Sequence, residues 1–151
     1  MASKKFGQIA KMFEKYVKHV KGIEGLLSTG KLVSLEEGKV VYEMEVMPEQ
    51  CNAGKTMHGA FAALLVDNLT GAAICTKLTT NEELPMFSGV SVAMNLKYLR
   101  ASKLGETVTV TAEVLKIGRN LAVAQCDIVG KDDGKLRVTG QHTKFVGQNN
   151  S

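Results

Sequence analysis

Apolar residues recur every three or four positions at Phe6, Ile9, Phe13, Val17 and Val20, with lysines between them, until Gly22 breaks the pattern. This spacing predicts an amphipathic surface helix over residues 4–21. The period then changes to two. The run KLVSLEEGKVVYEMEVMP reads as a hairpin: a strand over 31–36, a turn at Glu37-Gly38, and a strand over 39–47 with Val40, Tyr42, Met44 and Val46 on one face. Pro48 closes that strand because it has no N–H to give a ladder.

The period lengthens again in NAGKTMHGAFAALLVDNLTGAAICT, residues 52–76. A helix starting near His58-Gly59 and ending near Lys77 is apolar almost all the way round, yet carries Asp67 at its centre. Burying a lone carboxylate costs several kcal/mol, so Asp67 is where chemistry is expected. It shares a helix face with Ala60, Ala63, Leu64, Gly71 and Ile74, mostly small residues that leave room for a cleft. The alternative is a structural aspartate paired with a backbone amide or a lysine.

Period two returns over 89–99, with Val90, Val92, Met94, Leu96 and Tyr98 on one face, and over 107–117, with Val108, Val110, Ala112 and Val114. A turn at Gly118-Arg119-Asn120 leads into a strand over 121–129. A second turn over 131–135 leads into a strand over 136–146, and the tail 147–151 is expected to fray. The order is helix, two strands, long helix, four strands. It predicts one α+β domain spanning 1–151, an antiparallel sheet wrapped around a long central helix, its open side closed by a second subunit.

With 44% hydrophobic residues in 151, the chain can bury a sizeable core. The longest apolar run in the central helix, 60–66, stops at Asp67 and Asn68, short of the roughly 18 to 20 residues a membrane span needs. A soluble protein is expected. The N-terminus does not read as a secretory signal, and its lysines and Glu14 differ from the arginine-rich, acid-poor transit peptides. Three cysteines, an odd number, fit a reducing compartment. The expected location is cytoplasmic, with a mitochondrial destination as the alternative.

The net charge of +4 admits an anionic partner. Aromatic residues make up only 5% and the bases are spread along the chain, so nucleic acid is poorly supported and a phosphorylated small molecule fits better.

At the start of the central helix the amide groups lack intrahelical acceptors and carry the positive end of the dipole. Gly59 leaves its N–H open to an oxyanion, with His58 beside it and the Asn52 amide as a second donor. Gly59 and Asp67 are about 12 Å apart along the axis, so if both are catalytic they serve different sites, each completed by a neighbouring chain. Gly54-Lys55-Thr56 looks like the end of a phosphate-binding P-loop, but Glu49 occupies the position of its first glycine. Cys51 with His58 lacks a third member, and no His or Cys pair has metal-ligand spacing.

The segments NAGKTMHGAFAALLVDN, GVSVAMNLKYLRASKLGE and GRNLAVAQCDIVGKDDGKLRVTGQHTK resemble the small hotdog-fold acyl-coenzyme A thioesterases of the animal thioesterase superfamily member 2 type. Related bacterial phenylacetate-pathway thioesterases share the pattern. The resemblance implies a hotdog fold, hydrolysis of medium- or long-chain fatty acyl-CoA to free acid and coenzyme A, and a homotetramer built from two dimers. It also implies that Asn52 and the Gly59 N–H polarise the thioester carbonyl, while Asp67 and Ser91 orient and activate water across the subunit interface. His58 is assigned to positioning. Positions matching the coenzyme A site are Tyr98, Arg100, Ser102, Lys103, Lys116, Gly118, Arg119 and Asn120, of which Arg100, Lys103, Lys116 and Arg119 carry charge for phosphates. No metal or redox cofactor is implied.

Two departures from the family pattern stand out: Ala60 where a second glycine is common, and Phe145 where close relatives place a histidine against coenzyme A. Two rival functions remain. One is a hotdog hydratase or dehydratase, which commonly needs a histidine where this chain has Ala72; the other is a non-catalytic acyl-CoA binding or scaffold protein.

Overall fold

The computed structural model describes residues 4–78 and 88–147. Helix α1, Lys4–His19, buries Ile9 and Val17 and turns Lys4, Lys11, Lys15 and Lys18 outward, as its spacing requires. It stops before Gly22. A 3-10 helix that the sequence did not announce, Ile23–Thr29, follows and drives Leu27 fully into the core.

Strands β1, Lys31–Glu36, and β2, Lys39–Glu45, form the expected hairpin, with Gly38 at φ 76° supplying the turn. Val40, Tyr42 and Met44 point into the core, and so does Val46 just beyond β2. At Pro48 the chain enters a short 3-10 turn, Pro48–Gln50. The buried Gln50 amide ties that turn down, donating to Leu26 O at 2.9 Å and accepting from the Met47 N–H at 2.9 Å.

The remaining elements are α2 (Gly59–Leu78), β3 (Val90–Tyr98), β4 (Thr107–Ile117), β5 (Leu121–Gly130) and β6 (Leu136–Phe145). All six strands join one antiparallel sheet in the order β1-β2-β4-β5-β6-β3. Helix α2 packs along β2, β4, β5 and β6. By length and composition α2 could cross a membrane, but 61% of its apolar window is buried against the rest of the chain, which makes it a core helix. The α+β hotdog arrangement is therefore the one formed.

Burial differs from the periodic pattern in two places. Most of the apolar face of β3 stays outside the core, although Leu96 packs against it; β3 is an edge strand paired with β6. Val90, Val92, Met94 and Tyr98 are 55%, 60%, 40% and 56% exposed, and a register shift between Ser91 and Ala93 breaks the simple alternation. On the face of α2 shared with Asp67, Gly71 and Ile74 are buried instead of lining a cleft. The tail from 148 onward, expected to fray, lies outside the described residues.

Candidate active site

The loop before α2 is shaped by backbone and side chain together. Cys51 and Met57 form an isolated bridge, and the Asn52 carboxamide oxygen accepts from the Gly54 N–H at 2.9 Å while its Nδ2 donates to Thr56 Oγ1 at 3.0 Å. This Asx turn uses one Nδ2 proton and leaves the second available. His58 starts the helix: its carbonyl accepts from Phe61 and Ala62, and its Nδ1 accepts from the Ala60 N–H at 3.1 Å. His58 thus caps the start of α2. No acceptor for the Gly59 N–H is found among the described residues, whereas the Gly59 carbonyl accepts from the Tyr98 hydroxyl at 3.0 Å.

Tyr98, Arg100 and Ser102 join Gly59 around an open cleft of about 300 Å³. Its wall is held by the Ser102 carbonyl, which accepts from the Met57 N–H at 2.7 Å, and by an isolated bridge between Thr56 and Lys103. Ser102 is buried; Arg100 and Lys103 are exposed.

Further along α2, Asp67 sits in a second constellation. The Ser91 hydroxyl is 3.5 Å from Asp67 Oδ1, His142 Nε2 is 3.7 Å from the same oxygen, and the Lys144 ammonium is 3.9 Å away. His142 Nε2 lies 2.8 Å from Ser91 Oγ and its Nδ1 lies 2.7 Å from Thr70 Oγ1. Both His142 and Lys144 are buried, but the Asp67 side chain is 44% exposed. Asp67 is therefore not the desolvated carboxylate its helical context suggested: α2 turns it to the open side, and Lys144 faces it. Burial and the Lys144 charge push the His142 imidazole below its ordinary value of 6.5, with Asp67 pulling the other way.

The remaining positions that the resemblance assigns to coenzyme A lie elsewhere. Gly118 closes the β4–β5 turn through its N–H to Leu121 O at 2.8 Å, and the Asn120 carbonyl accepts from the Val146 N–H at 2.8 Å. Lys116 and Arg119 are exposed there. Lys116 lies at the far end of β4 and Arg119 just beyond it, so Lys116 is nine strand steps, about 30 Å, from Thr107 at the end of the strand near Lys103. Within one chain, then, Gly59 meets the Tyr98–Ser102 segment, Asp67 meets Ser91, and neither cluster meets both groups of basic residues.

Sequence reasoning missed His142, Lys144 and Thr70. A signal existed: alternate residues of β6 must face α2, and in LRVTGQHTKF that face runs Val138, Gly140, His142, Lys144, an inward polar pair that had to find partners.

The fold is that of a thioesterase-type protein. The thioesterase superfamily model matches residues 54–137, and the chain belongs to that superfamily. More particularly, it is 43% identical over 127 residues to human acyl-coenzyme A thioesterase 13, covering 84% of this chain and 86% of that protein. The crystal structure of zebra fish thioesterase superfamily member 2 superposes with a TM-score of 0.85 at 38% identity, over 94% of this chain and 98% of the other. The mouse thioesterase superfamily member 2 structure does so with a TM-score of 0.80 at 34% identity, over 92% and 98%.

Proposed function

We propose that the chain hydrolyses medium- and long-chain fatty acyl-CoA thioesters to free acid and coenzyme A, at sites completed by a second copy of itself. The observation that carries this reading is the Asp67 carboxylate and Ser91 hydroxyl standing 3.5 Å apart on the side of α2 left open by the exposed edge strand β3.

Antiparallel pairing of β3 with a partner's β3 would set the Tyr98 end of one chain beside the Ser91 end of the other. The cleft at Gly59 would then face the partner's Asp67, and the Tyr98–Lys103 segment would approach the partner's β4–β5 turn. Both halves of the coenzyme A site meet in this way, with Arg100, Lys103, Lys116 and Arg119 available to its phosphates. Two such dimers form the homotetramer we propose.

In the reaction, the thioester carbonyl lies against the Gly59 N–H and the second Nδ2 proton of Asn52. Water held between Asp67 and Ser91 attacks the carbonyl carbon as Asp67 takes its proton. Negative charge collects on the carbonyl oxygen, where the helix-start amide stabilises it, and collapse breaks the C–S bond. Coenzyme A leaves as a thiolate and takes the proton that Asp67 removed from water, which restores the carboxylate. The chemistry uses no metal or redox cofactor. The chain's three cysteines, an odd number, support placing the protein in a reducing compartment such as the cytoplasm.

The test is thiol release from a panel of short-, medium-, long-chain and aryl acyl-CoAs, with native protein and Asp67→Asn. Loss of at least on the order of a hundredfold in kcat, with binding retained, assigns the base to Asp67. Equal turnover by both makes Asp67 a structural partner of Lys144. Coenzyme A binding without turnover by the native protein makes the chain a binding module.

A further inference from the structure

His142 is wholly buried on β6, in contact with α2 on one side and β3 on the other, and both of its ring nitrogens are engaged. Which nitrogen carries the proton follows from counting donors. Thr70 has one hydroxyl proton, and its Oγ1 lies 2.7 Å from the Val66 carbonyl one turn back and 3.1 Å from the Asp67 carbonyl. Two oxygens approach to 2.7 Å only with a proton between them, so the Thr70 proton is spent on Val66. The 2.7 Å contact from Thr70 Oγ1 to His142 Nδ1 therefore needs its proton from the ring.

A neutral imidazole protonated at Nδ1 has a lone pair at Nε2. Across the 2.8 Å contact to Ser91 Oγ, the only proton available is then the Ser91 hydroxyl's. Spending that proton on His142 leaves Ser91 Oγ with lone pairs toward the open side, where Asp67 Oδ1 lies 3.5 Å away.

We propose that His142 is the positioning residue of the site: by taking the Ser91 proton it makes Ser91 an acceptor, so the attacking water gives one hydrogen to Ser91 and the other to Asp67. The water's lone pair is thereby aimed at the substrate. This rests on the thioesterase reading above. Protonating His142 reverses the polarity: Nε2–H donates to Ser91, the serine proton turns toward Asp67, and the water loses its cradle. The groups facing the ring are the Asp67 carboxylate and Thr70 hydroxyl from α2, the Ser91 hydroxyl from β3, and Lys144 on its own strand; its partner on β5 is Ala124, which carries no charge. Burial and Lys144 disfavour the imidazolium, so the site is set for neutral operation at pH 7.

The chain has three histidines, which keeps its spectrum simple. Long-range ¹H–¹⁵N correlation on protein labelled at histidine should show His142 at pH 7 as the neutral tautomer protonated at Nδ1. An imidazolium, or a ring protonated at Nε2, would overturn the proposal without any activity measurement. The second arm is His142→Gln, whose carboxamide oxygen can replace Nε2 as acceptor but does not titrate. It should keep kcat within about tenfold of native, with KM nearly unchanged, and lose an acid limb present in the native kcat profile below pH 6.5. A His142→Gln profile superimposable on the native one would overturn the role. A native protein that releases no thiol, yet shows the Nδ1–H tautomer, would overturn the thioesterase reading and leave the proton assignment standing.

Discussion

The Lys144 ammonium stands 3.9 Å from the Asp67 carboxylate, beside Gly71 of α2. A Cβ on Gly71 would lie 3.8 Å from Lys144 Nζ, ordinary van der Waals contact, and 2.9 Å from the Ser88 hydroxyl, which could turn aside. Two opposite charges thus flank one buried imidazole, and each has a defined effect on it.

Removing Lys144 as Lys144→Met takes away one of the influences that depress His142, so its titration should move up toward 6.5; Asp67→Asn should move it down. A histidine depressed in the folded state favours folding fully above its unfolded value of 6.5, and that contribution is lost as pH falls from there toward the folded value. The native Tm should therefore decline through this window, and Lys144→Met should decline less steeply within it. Histidine NMR titrations and Tm against pH check both signs.

Arg137 holds up the end of the cleft at which the proposed function places coenzyme A. Its buried guanidinium donates from Nε to Glu106 Oε1 at 3.0 Å and from Nη2 to Asp133 Oδ2 at 3.0 Å, while its carbonyl accepts from the Leu99 N–H at 2.8 Å and the Arg100 N–H at 3.1 Å. Glu106 in turn accepts from the Lys103 N–H at 2.9 Å. Arg137→Met should cost about 3 kcal/mol in chemical denaturation, since it strands the Glu106 carboxylate. It should also raise KM for acyl-CoA several-fold with a smaller change in kcat. An unchanged KM would detach this network from substrate binding.

Tyr42, fully buried, gives its hydroxyl to the Leu27 carbonyl and so pins the 3-10 segment onto β2. Tyr42→Phe should destabilise the protein by roughly 1 kcal/mol, because the buried Leu27 carbonyl loses one of its two donors and keeps only the Gly30 N–H at 3.2 Å. Burial pushes the Tyr42 phenol up to about 12 from 10.0. Stability should accordingly fall as pH rises from 10 toward 12, and less so in the variant, as alkaline unfolding curves would show.

If β3 is the subunit seam, a charge at its centre should open it. Val92, 60% exposed in the single chain, is the position to change. Val92→Lys should shift light-scattering mass toward the monomer and lower thiol release in parallel, since each half-site would lose its complement. A variant that keeps its mass would place the interface elsewhere.

Periodicity is a local property, and everything that depends on it was readable: α1, the β1–β2 hairpin at Gly38, the start of α2 at Gly59, and β4 and β5 with Val108, Val110 and Ala112 inward. Gly59 and Asp67 could be found because a helix start and a carboxylate in an apolar helix stand out within one segment. The 3-10 turn at 23–29 could not, because its stability comes from Leu27 and Tyr42 meeting across the chain rather than from a repeating pattern.

The amino-acid sequence alone therefore determined the periodic helices and strands, the family, and the two residues around which the chemistry is proposed. The tertiary structure decided which residues surround them. Placing β3 at the edge beside β6 turned an apolar strand face outward and brought Ser91, His142 and Lys144 to Asp67. Sheet order is fixed by how strands compete for neighbours and for the single helix that covers them, a contest among distant segments that no short stretch of the chain records.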